Sequence, residues 1–148
     1  MAVFHDVLIV LSIFSFFYGV LPFSLEIDQA FIAALLTIIG YSLNDTVVVF
    51  DRVRENLRNF KSLPLLKVLN MSINNTLSRT IMTSVTTLLA LFALYFLGGD
   101  VIRGFTFAMI WGVLVGTYSS IFVAAKILLI LDVKRNWDEK ESKAGTQF

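Results

Sequence analysis

Four stretches of this chain carry no charged residue: 7–25, 29–44, 80–99 and 104–125. Crossing the hydrocarbon core of a bilayer takes about 20 predominantly apolar residues. The second stretch is short only because Asp45 interrupts it, and apolar character resumes as far as Phe50. Four such stretches in 148 residues leave no room for a sizeable soluble domain. In lipid every backbone polar group needs an internal partner, which a helix supplies within one segment. The pattern predicts an all-α, polytopic transmembrane helix bundle.

The expected spans are 3–21, 29–50, 77–97 and 104–131, so that 1–131 forms one four-span membrane domain and 132–148 a charged tail. Residues 51–76 connect the second and third spans. Val53 and Leu57 lie four apart, Phe60 follows three later, and Arg52, Arg54, Glu55 and Arg58 fall between them. That spacing reads as an amphipathic helix lying at the interface. Pro64 breaks or restarts it, and Leu65, Leu66, Leu69 and Ile73 suit a second short helix on the membrane surface. The tail, DVKRNWDEKESKAGTQF, is polar enough to be disordered at its end, with Trp137 suited to the headgroup layer.

Lysine and arginine in short loops set orientation. The 51–77 connection holds Arg52, Arg54, Arg58, Lys61 and Lys67, and the tail holds Lys134, Arg135, Lys140 and Lys143. The 22–28 turn has none and the 98–103 turn only Arg103. Both chain ends and the 51–76 loop are therefore expected in the cytoplasm. Met1 opens almost directly into apolar sequence, as an internal junction would, so the chain reads as the C-terminal part of a longer protein. A genuine short product is the alternative.

The sharpest chemical feature is Asp45, placed in apolar sequence roughly 10 Å along the helix from Arg52. Charges within spans are costly and usually face a partner or a water path. Tyr41 and Ser42 precede it by four and three residues and share its face. Asn44 and Thr46 flank that face. A carboxyl so placed can take up and release protons; equally, it can hold helices together as polar glue. Arg79 opens the third span and heads a stripe with Thr83, Thr86 and Thr87. It can reach inward to Asp45 across a helix pair, or snorkel to the headgroups.

Gly112, Gly116 and Ser120 repeat every four residues along the fourth span, a ladder that lets helices approach closely, with Gly40 and Ser42 expected to receive it. Thr117, Tyr118 and Ser119 add hydrogen-bonding groups beside it; packing is the first reading and the lining of a water path the second. Trp111 suits packing. His5 and Asp6 read as an interfacial pair, with proton uptake from the interface the other reading. Asp51, Arg52, Arg54 and Glu55 suit a charged helix exit with local ion pairs of little worth. With no cysteine and one histidine, thiol chemistry, disulfides and a metal site are not expected. Gly98-Gly99 lacks a following lysine, so no phosphate-cradling loop is present. A net charge of +1 gives no reason to expect nucleic acid, and nothing points to an enzyme or a cofactor.

Gly40 to Arg54, GYSLNDTVVVFDRVR, resembles SecF, the smaller partner in the SecD–SecF export complex. The likeness continues through Glu55 to Arg58, Ser78-Arg79-Thr80, Thr83 to Thr87, Gly98-Gly99 and Gly112 to Ala124, and His5-Asp6-Val7 fits the family's third span. The resemblance implies the last four of six spans, in the bacterial inner membrane, related to one half of a proton-driven efflux transporter. It implies SecD, the SecYEG channel and translocating polypeptides as partners, with YajC and YidC as optional ones. It also implies proton-gradient-driven late translocation and release of secreted polypeptides, with the relay aspartate falling on Asp45 and its arginine on Arg79. The alternatives are a proton-coupled exporter of small molecules or lipids from the same superfamily, and an inactive, purely structural fragment.

Overall fold

The computed structural model describes residues 2–23 and 25–130. The 132–148 tail, with Trp137, lies outside the described residues, as does the last residue expected of the fourth span. The chain forms a helix bundle: α1 Ala2–Phe17, α2 Gln29–Asn59, α3 Leu65–Leu97 and α4 Asp100–Tyr118, which passes through a π-helical turn at Ser119–Val123 into α5 Ala124–Ile130. Three helices are long and apolar enough to cross a membrane: Gln29–Asn59, Leu65–Leu97 and the continuous rod Asp100–Ile130. α1 is apolar but only 16 residues long.

Local chemistry sets the ends of these helices. The Asp28 side chain accepts a hydrogen bond from the Phe31 amide at 2.8 Å and so caps α2. Pro64 precedes α3, where its missing N–H costs nothing. Gly99, at φ +76°, makes the reversal from α3 to α4, a conformation that other residues adopt only under strain. Gly19, at φ +77°, and Pro22 end the first helix at Phe17 rather than at the expected residue 21. Two further expectations are corrected. The 51–76 stretch holds no separate interfacial helices: α2 runs unbroken to Asn59, and α3 begins at Leu65 and continues through the region assigned to a loop. At helical rise α2 and α3 are about 46 and 50 Å long, more than the roughly 30 Å of a hydrocarbon core. The charged ends are thus projections of the spans.

α1 and α3 run from the Pro64 end of the bundle to the Gly99 end, and α2 and α4 run back. α4 packs against α1, α2 and α3. At the Gly99 end Phe14 meets Phe31 at 4.3 Å between centroids, and Phe107 touches Phe14, Phe17, Phe23 and Trp111. Large apolar side chains also point outward, among them Phe16, Leu36, Leu89, Phe96 and Leu97. Such a surface suits lipid or a further helix rather than water. Inside lipid, burial gains little by desolvation, so close packing and polar contacts hold the helices together.

Candidate functional site

The buried face of α2 runs Phe31, Ala34, Ile38, Ser42, Asp45, Val49, Val53 and Asn56. Steps of three and four keep these residues on one stripe. The neighbouring helices bring their own polar groups to the middle of the bundle: Asp6 from α1, Thr76, Thr80 and Ser84 from α3, and Ser119 and Ser120 from the π turn. Apolar clusters close this layer on both sides. One contains Val10, Phe14, Ile38, Leu91 and Val113 toward the Gly99 end. The other contains Val49, Val53 and Leu69 toward the Pro64 end.

Polar groups buried in such a place are costly unless partnered. Ser42 Oγ donates to Asp6 Oδ2 at 2.5 Å, and His5 Nδ1 lies 3.2 Å from Asp6 Oδ1. The Tyr41 hydroxyl and Ser84 Oγ are 3.0 Å apart, and Ser84 Oγ and Thr117 Oγ1 2.6 Å. Asn56 Nδ2 donates to Ser72 Oγ at 2.9 Å, and Ser72 donates to the Val68 carbonyl. Asp45 differs. It is 6% exposed, and its Oδ2 has no hydrogen-bond partner.

The α2–α3 contacts Asn56–Ser72 and Tyr41–Ser84 pin an antiparallel register. Asp45 then lies level with about residues 80–81, within roughly one helical turn of Arg79. Among the described residues the two make no direct ion pair, so the expected Asp45–Arg79 contact is absent from this arrangement. Arg79 sits on the exposed side of α3.

Other expected residues divide between the two faces. Tyr41, Ser42 and Thr46 belong to the layer, whereas Asn44 points outward. Thr83 and Thr86 are exposed and return their hydroxyls to their own helix, to the Arg79 and Met82 carbonyls. Gly112, Gly116 and Ser120 are buried on α4 and the π turn. A Cβ on Gly112 would overlap the Ile38 side chain, and one on Gly116 would lie 3.5 Å from Ser42 Cβ. Gly40 is exposed, with nothing near where its Cβ would be, so Ile38 and Ser42 receive the ladder and Gly40 does not. The interfacial reading of Asp6 is corrected too: it is 1% exposed. Sequence reasoning also gave no inward role to Thr80 and Ser84. The signal for the α3 residues was present, because Ser72, Thr76, Thr80 and Ser84 stand every four residues on one face. Local ion pairs join Arg52 to Glu55 and Arg103 to Asp100, both at 2.6 Å. Among the described residues no group of three or more His, Cys, Asp or Glu is placed to hold a metal ion.

The arrangement can keep one carboxyl away from bulk water, with helices linked by short hydrogen bonds around it. Comparison with known proteins gives it a context. The family profile described as protein export membrane protein SecD/SecF, C-terminal, matches residues 1–134. The protein translocase subunit SecF of Rhodothermus marinus is 63% identical over 130 residues, which is 88% of this chain and 42% of that protein. The one from Cereibacter sphaeroides is 55% identical over 147 residues, 99% of this chain and 44% of that protein. A crystal structure of SecDF in a super-membrane-facing form superposes with a TM-score of 0.77 at 46% identity, covering 95% of this chain and 19% of that one. The chain thus spans less than half the length of these curated relatives.

Proposed function

The chain belongs to the SecD/SecF family of protein-export membrane proteins, and from that premise we propose that it serves as the membrane part of a SecF subunit. With SecD and the SecYEG channel it uses the proton gradient to promote late translocation and release of secreted polypeptides. A proton arriving from the outer side between the SecD and SecF halves binds Asp45. The attraction to Arg79 weakens and the helices rearrange. Proton release to the cytoplasm resets the pair. The polypeptide-handling step belongs to parts of the longer relatives that this chain does not cover.

One observation carries this reading: Asp45 is a deeply buried carboxylate with an unpartnered oxygen, about level with Arg79 along the bundle, in a polar layer flanked by apolar clusters at both ends. A carboxylate serving only as glue would have its oxygens engaged by neighbouring donors. An element with two charge states and a distant counter-charge is the kind of two-state device a transporter needs. The proposed topology has four spans, with the basic turn at 60–64 and both chain ends in the cytoplasm. Cysteines introduced singly at Lys61 and at Val101 test it by reagent accessibility from each side.

The relay is tested by Asp45→Asn in the complete SecF with its SecD partner, which keeps shape and removes the titratable charge. Release of a secreted protein from inside-out vesicles or spheroplasts is followed with and without the gradient, and assembly in parallel. Intact assembly with loss of gradient dependence is the expected result. Normal gradient-dependent release would make Asp45 polar glue.

A further inference from the structure

α2 and α4 pack in parallel, so their contacts repeat in step. Gly112 stands against Ile38 and Gly116 against Ser42. One turn further, the same stripes bring Ser119 and Ser120 to the level of Asp45 and Thr46. At this level α4 leaves regular α-helical geometry and enters the π turn Ser119–Val123. Such turns loosen a helix locally and recur at functional sites. Asp45 is 6% exposed and Ser119 fully buried.

Among the described residues, the buried side-chain oxygens without a hydrogen-bond partner are Asp45 Oδ2, Thr46 Oγ1 and Ser119 Oγ. The register set by Gly112 and Gly116, with the π turn packed against α2, brings all three to about this level. Nearby hydroxyls are committed elsewhere: Ser42 donates to Asp6, and Ser120 donates to the Thr117 carbonyl. A buried polar group left unpaired is costly, and three at one level point to a shared ligand.

We propose that Asp45 Oδ2, Thr46 Oγ1 and Ser119 Oγ form a binding site for one internal water molecule. The donor–acceptor balance closes. The carboxylate oxygen only accepts, each hydroxyl donates or accepts, and water offers two donors and two lone pairs. Three bonds are typical of a buried water. Water donates to Asp45 Oδ2 and to one hydroxyl, and accepts from the other. The site rests on burial, missing partners and helix register. Its consequence, that this water is the proton carrier next to Asp45, rests on the relay reading.

The test uses the complete SecD–SecF assembly containing this chain, in structures fine enough to place waters. The expected result is a density peak within hydrogen-bond distance of all three oxygens, absent in Ser119→Val, whose methyl groups fill the space. The site is overturned if the three oxygens are bonded to a side chain from the rest of the assembly, or if the peak has the short contacts of a metal ion. Release assays then test the consequence. Thr46→Val and Ser119→Ala should lower gradient-dependent release about three- to ten-fold, the worth of one hydrogen bond. Thr46→Ser should retain it. Unchanged release in both variants, with the peak present in the unsubstituted protein, leaves the site and overturns its carrier role. Gradient dependence surviving Asp45→Asn removes the relay reading, and the density still decides the water site.

Discussion

Replacing Gly112 by alanine adds one methyl group at the tightest point between α2 and α4. The new Cβ would overlap three carbons of Ile38, namely Cγ1, Cδ1 and Cγ2. Ile38 is 1% exposed and belongs to the apolar cluster with Ala34, Val113 and Leu91, so it has nowhere to swing. Inserting a methylene into a well-packed core costs about 1–3 kcal/mol. Alanine regains about 0.5–1 kcal/mol through helix propensity, leaving a net loss of up to about 2.5 kcal/mol. Gly116→Ala is the internal control. Its Cβ would sit 3.5 Å from Ser42 Cβ, an ordinary contact, so the propensity term dominates and stability holds or rises slightly. Thermal unfolding of detergent-solubilised protein, followed by tryptophan fluorescence, reads both. With Trp137 replaced by phenylalanine, the signal comes from Trp111, which lies beside Gly112 and against Phe107, so the probe reports on this region. Ile38→Ala in the Gly112→Ala background should recover part of the loss, since neighbouring substitutions couple by about 0.5–3 kcal/mol. Equal losses for the two glycines, or no recovery with Ile38→Ala, would refute the reasoning that the ladder is closed at Gly112 and merely close at Gly116.

Other substitutions probe the polar layer and its outer side. Asn56→Leu removes the donor to Ser72 between α2 and α3, and should cost about 1 kcal/mol in the same unfolding assay, Ser72 keeping its bond to the Val68 carbonyl. Ser42→Ala leaves Asp6 without its 2.5 Å donor and should cost about 1–3 kcal/mol, most of it the unpaired carboxyl oxygen. Thr83→Val and Thr86→Val should change bundle stability by less than about 0.5 kcal/mol, because each hydroxyl serves only its own helix.

What the sequence concealed follows from how membrane helices signal their faces. Three helices long and apolar enough to cross a membrane could be read directly, because apolar length is a bulk property. Their ends could not. The first charges after Phe50 mark where lipid gives way to water, not where the helix stops. α2 keeps the same buried stripe through Val53 and Asn56, well past Arg52. Counting apolar residues likewise carried the first helix past Gly19, whose positive φ has no hydropathy signature. Asp45 was legible because an ionisable residue inside a span is rare and expensive. The threonines near Arg79 misled for a related reason. In a helix, serine and threonine hydroxyls can bond the carbonyl one turn back, so their polarity does not decide which way they face. Thr83 and Thr86 do this and point outward, while Ser72, Thr76, Thr80 and Ser84, equally polar, point inward. Strict four-residue spacing of small side chains separates the two sets, since small residues are what closely approaching helices require. By that criterion Ala2, Asp6 and Val10 also form a stripe. Asp6 belongs inside for the reason Asp45 does: its neighbours at one turn in either direction are core residues, and its partner is the serine next to the relay candidate.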